Sequence, residues 1–74
     1  PDDDLLRRVL VKLFADRQID IDPAVVEFLA VRMERSVAAA QALVDRLDRA
    51  SLSAGRRITR PLAASVLAEQ DPAA

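Results

Sequence analysis

Four groups of side chains in this chain are of types and spacings that could do chemistry. Asp2, Asp3 and Asp4 are adjacent carboxylates of the kind that ligate divalent cations. Consecutive residues rarely converge on one ion, whereas at a helix start each can accept free backbone N–H groups and meet the positive end of the helix dipole. Capping is the stronger reading. Asp20 and Asp22 are two apart, as in a calcium loop, but the glycine and terminal glutamate of such a loop are missing. Arg56, Arg57 and Arg60 could meet phosphate or an acidic partner; the plainer reading is a solvated turn. Arg32 and Arg35 come just before a helix start, and helix N-termini with adjacent arginines are where phosphates bind. Taken singly, each also suits the negative end of the helix it is expected to close.

What is missing narrows the chemistry further. The sequence has no His and no Cys, which excludes disulfides, thiol chemistry, zinc sites and His general bases. Carboxylate sites stay open, but no catalytic constellation emerges, so the chain itself is read as no enzyme. A net charge of −1 gives no drive towards nucleic acid or anionic membrane. Direct nucleic-acid binding is therefore not expected. No apolar run approaches 18 residues, so nothing is expected to span a membrane. With 74 residues there is room for one domain, which buries only about 60% of its unfolded surface. Two Phe, no Trp and no Tyr leave a core of Leu, Val and Ala. The chain begins at Pro1 without Met and is read as a piece of a longer protein.

The elements that must position these side chains are helical. Leu5, Leu6, Val9, Leu10, Leu13 and Phe14 form one apolar stripe, which predicts a helix over about 3–17. Gln18 to Ile21 is a connector with one or two Ile pinned into the core. Asp22-Pro23 is a helix start, with Asp as N-cap and Pro at the first helical position, and predicts a helix over 23–35. Val25, Val26, Leu29, Ala30 and Met33 share one face of it. Phe28 and Val31 fall on another, so this helix is either buried on all sides or docks a partner through Phe28 and Val31. Ser36 caps a helix over 37–54 that ends at Gly55. Val37, Ala40, Leu43, Val44, Leu47 and Ala50 face inward; Ala38, Gln41, Asp45 and Arg49 face outward. Arg56 to Ile58 is an extended link. Thr59 caps a last helix over 60–68, with Pro61 in its first turn, and residues 69–74 are read as a fraying tail. The fold class is all-α: a small four-helix bundle with short loops.

The ordered set of motifs resembles the lid subdomain of the DnaA/Hda branch of AAA+ ATPases. It comprises the first helix with Leu6, Leu10, Lys12, Arg17 and Ile19, then the Asp22-capped helix. The Arg32-x-x-Arg35-Ser36 break follows, then a long helix ending Leu47-Asp48-Arg49-Ala50-Ser51, and last Gly55, Arg57, Ile58 and Thr59. The resemblance covers essentially residues 4–68. It implies that an ATPase core precedes this chain, that the lid packs over an adenine nucleotide, ADP or ATP, and that the fragment alone binds none. It also implies that the third helix carries a phosphate-sensing arginine near its start, on the outward face. In register, that position here is Ala38. A methyl group cannot make the charge-assisted bonds of a guanidinium. Either Arg35 supplies part of the missing charge, or the lid serves chiefly for packing and partner contact; the second is favoured.

The missing arginine and the short stretch after Thr59 point to the Hda-like branch rather than to the lid of a DnaA initiator. That branch implies a cytoplasmic regulator of replication initiation. Its partners would be its own core, the DnaA initiator and the DNA sliding clamp. A stand-alone helical interaction module, docking through Phe28 and Val31, is the alternative from a different class.

Overall fold

In the computed structural model, which describes residues 2–69, the chain forms four helices: α1 (Asp3–Asp16), α2 (Pro23–Arg32), α3 (Val37–Ala54) and α4 (Arg60–Glu69). No strand occurs among the described residues. The bundle is all-α, as the periodicity predicts. The tail expected over 69–74 lies, beyond Glu69, outside the described residues.

Local chemistry starts each helix where the caps predict. Asp2 accepts the Leu5 amide at 2.8 Å, Asp22 accepts the Ala24 amide at 2.8 Å, and Ser36 Oγ accepts the Ala39 amide at 2.9 Å. Thr59 Oγ1 takes the Leu62 amide at a longer 3.5 Å. Such caps satisfy N–H groups that the helix leaves without carbonyls.

The helix ends are less uniform. Gly55 takes the left-handed conformation at φ 65°, and the Arg56 amide reaches back to the Ser51 carbonyl at 3.1 Å. The same closure ends α1, where Ile19 N–H reaches the Phe14 carbonyl at 2.9 Å, but the left-handed residue there is Gln18, at φ 57°. A side chain at that angle crowds its own backbone, which glycine avoids.

Helix α2 stops three residues short of the expected end. Met33 turns extended while its amide still bonds the Leu29 carbonyl, and its side chain drops into the core. Ser36 must be extended to cap α3, and no glycine offers a left-handed exit from α2, so the chain leaves the helix early. Arg35 therefore lies in the loop and does not close α2.

The four helices pack in a closed ring, each on two neighbours, in the order α1, α2, α4, α3. The seam between α2 and α4 is the smallest of the four. Inside the ring, Leu6, Leu10 and Phe14 of α1 meet Leu29 and Ala30 of α2, Leu43, Val44 and Leu47 of α3, and Ala63 and Val66 of α4. Ile58, in the α3–α4 link, is also buried, while Ile19 and Ile21 pack half-buried against the cluster. Val37 departs from expectation: it is 41% exposed, and the inward face of α3 begins instead with Ala40, which is fully buried, with Ala39 packed beside it.

The two left-handed helix ends allow a paired test. Nothing lies within 4 Å of a Cβ built on Gly55, so Gly55→Ala pays only backbone strain, about 1 kcal/mol. Gln18→Gly should gain about 0.5 kcal/mol, strain relief less the added freedom of the unfolded chain. Urea unfolding followed by circular dichroism should move the two midpoints in opposite directions.

Candidate functional site

The outward face of the first turn of α3 is the place where the sequence suggests a ligand. Ser36 sets it, at φ −153° and ψ 150°, by turning the chain into the helix and capping it. Ala38 follows two residues later and is exposed, as the outward face requires. The Ser36 hydroxyl and carbonyl take the Ala39 and Ala40 amides, at 2.9 and 3.2 Å. The Val37 and Ala38 amides have no acceptor among the described residues. The positive end of an 18-residue helix therefore opens there without a cationic side chain.

Arg35 is close in sequence, but its guanidinium is committed elsewhere. Nη1 forms an ion pair with Asp3 Oδ1 at the start of α1, tying the α2–α3 loop to the first helix. An anion arriving at the start of α3 would compete with Asp3 for it. Both side chains are substantially solvated, so that tie is weak.

The acidic opening run spreads out rather than converging. Asp2 caps α1, Asp3 takes Arg35, and Asp4 pairs with Arg7 and Arg8, at 3.1 and 3.4 Å. No group of side chains among the described residues could hold a metal ion. Asp20 pairs loosely with Arg57 at 3.5 Å, while Asp22 is spent on its cap.

Phe28 is half-buried against the core and Val31 is 43% exposed. The Phe28 ring is not bare. The Arg32 guanidinium carbon lies 4.0 Å from the ring centroid and that of Arg60 lies 5.4 Å from it. Beside this group an open cleft of about 430 Å³ separates the cap residue Asp22 and Ala24 and Val25 of α2 from Arg57, Thr59 and Arg60. Spacing of i, i+4 could have signalled the Arg32–Phe28 stack. Nothing local could have signalled Arg60.

Two further cross-helix ties escaped the sequence. Arg7 donates Nε and Nη2 to the two Glu27 oxygens at 2.6 and 3.1 Å, joining α1 to α2. Arg17 reaches Asp45 and Asp48 of α3 at 3.4 and 3.1 Å, while Asp45 also takes Arg49 at 3.0 Å. The hydrogen bond from Arg7 holds the Glu27 carboxyl below its ordinary pKa, and the same bond raises Arg7.

A family model described as "Hda, lid domain" matches residues 2–67. No curated protein and no solved structure matches the chain. No helix of the described residues is long and apolar enough to cross a membrane.

The Glu27 shift has a definite sign in stability. A carboxyl whose pKa is lowered by folding stabilises the fold above its unfolded pKa, about 4.3, and loses that contribution as pH falls through the lower folded value. Glu27→Gln should lower the melting temperature at pH 7, and its gap from the parent should close as pH falls to about 3. A gap of constant size over that range would show that the pair carries no such linkage.

Proposed function

The chain belongs to the Hda lid domain family, and from that premise we propose that it is the lid of an Hda-like AAA+ regulator of replication initiation. In this reading it lies over the adenine-nucleotide site of an ATPase core. The parent protein, with the DNA-loaded sliding clamp, promotes hydrolysis of ATP bound to the DnaA initiator and acts in the cytoplasm. The match to the Hda lid supports this over the lid of the initiator itself.

The observation that carries the finer reading is Ala38. It stands exposed on the outward face of a capped α3, where the resemblance expects a phosphate-sensing arginine. The side chains present do not fit a tight phosphate grip: Ala38 offers a methyl group, and Arg35 is paired with Asp3. What the turn offers a nucleotide is its two open amides and the helix dipole. The lid then covers the nucleotide and contributes little to holding its phosphates. The family matched is a lid domain, which is not itself catalytic; in this reading ATPase chemistry is left to the core.

Two measurements test this. The natural chain carrying this lid should encode a glycine-rich phosphate-binding loop upstream of it; a parent without one would end the reading. Ala38→Arg in the full-length protein should tighten ADP binding by about tenfold in calorimetry, the equivalent of roughly 1.5 kcal/mol for a charge-assisted bond. Unchanged affinity would mean that this turn does not reach the phosphates.

A further inference from the structure

We infer that Arg32 and Arg60, steadied by the Phe28 ring, form a carboxylate-binding fork for an acidic segment of a partner protein. The first support is the distribution of charge. Most basic side chains here have an acidic partner, but Arg32, Arg46, Arg56 and Arg60 have none among the described residues. Three of those four belong to the end of α2 and the start of α4 with its link. Arg57 adjoins them, and its partner Asp20 is 94% exposed and 3.5 Å away. A chain of net charge −1 thus leaves Arg32 and Arg60, both beside the Phe28 ring, without an ion pair among the described residues, and Asp22 is the one carboxylate lining the adjoining cleft.

The second support is preorganisation. Both guanidinium carbons lie within 5.4 Å of the Phe28 centroid, and Arg32 also donates Nη1 to the Phe28 carbonyl at 3.2 Å. Contact with the ring restrains the two groups and leaves most of their N–H donors without a partner among the described residues. A planar guanidinium so held presents paired donors that match a carboxylate, with less rotamer freedom left to lose on binding. Phe28 is a positioning residue here and need not touch the partner.

The third support is the adjoining cleft, where Arg57 and Arg60 face Ala24 and Val25. It gives room for the aliphatic stem of a Glu next to a carboxylate held by the fork. Nucleic acid fits less well. Two guanidinium groups beside a single ring give neither an extended track of cations for a phosphate backbone nor a row of stacking platforms for bases.

Fluorescence anisotropy of a labelled hexaglutamate peptide, at low salt and with the protein at its full natural length, tests the fork. Saturable binding is expected, with none to hexaglutamine. Arg32→Gln and Arg60→Gln should each weaken it by about three- to fivefold, the range of a solvated charge pair. Arg60→Lys should weaken it as well, because an ammonium keeps the charge but loses the planar fork. Phe28→Leu should weaken it with both charges intact, and Arg46→Gln should leave it unchanged. Should Phe28→Leu unfold by circular dichroism, the arginine variants decide. Absence of binding, equal weakening by Arg46→Gln, full activity of Arg60→Lys, or tighter binding of single-stranded DNA of equal charge would each overturn the inference.

Discussion

Burial of one stripe of α3 is the constraint on which the rest of this molecule depends. Ala40, Leu43, Val44 and Leu47 are fully buried, and they face α1 on one side and α4 on the other. In a chain with only two Phe and no larger aromatic side chain, this stripe and the buried Leu6, Leu10 and Phe14 of α1 make the central seam. Fixing that stripe fixes the rotation of the helix. The opposite face, with Ala38, Gln41 and Arg49, is then turned to solvent by the same geometry. The surface that a nucleotide or a partner meets is thus set by what the core demands.

Around this core the polar contacts link helices that the apolar contacts have already brought together. Arg7 joins α1 to α2, Arg17 joins the end of α1 to α3, and Arg35 joins the loop before α3 to the start of α1. Each pair is partly solvated, so each contributes modestly and serves register more than bulk stability. Neither seam of α4 carries an ion pair between helices among the described residues, and the α2–α4 seam differs most. It is the smallest packed seam, and there the bridging group is a stack of Arg60 over Phe28 rather than an ion pair. Positive charge is left uncompensated at the place where the apolar packing is thinnest.

Much of the fold was legible in the sequence because helix starts are local events. Asp2, Asp22, Ser36 and Thr59 each act on an amide two or three residues away; the last three stand where caps were expected, and Asp2 is the one of three adjacent candidates that caps α1. Helix ends were legible only where glycine marked them, as at Gly55. Gln18 takes the same left-handed conformation with no glycine to announce it. The early end of α2 depends on Met33 finding the core, which is a matter of packing. Of the site residues, Ala38 was legible because the helical period alone puts it outward. The partner of Arg35 was not, since Asp3 is 32 residues away.

What the sequence by itself determined is the set of four helices, their inward faces apart from Leu5 and Val37, and the outward place of Ala38. Those follow from caps and from the 3.6-residue period, which act over one or two turns. What only the tertiary structure decided is which charges meet. Arg35 is drawn to Asp3, Arg17 to Asp45 and Asp48, and Arg60 to the ring of Phe28. Side chains far apart in the chain become neighbours only after the ring of helices has closed. Ion pairing and stacking act over a few ångströms and have no period along the sequence to reveal them.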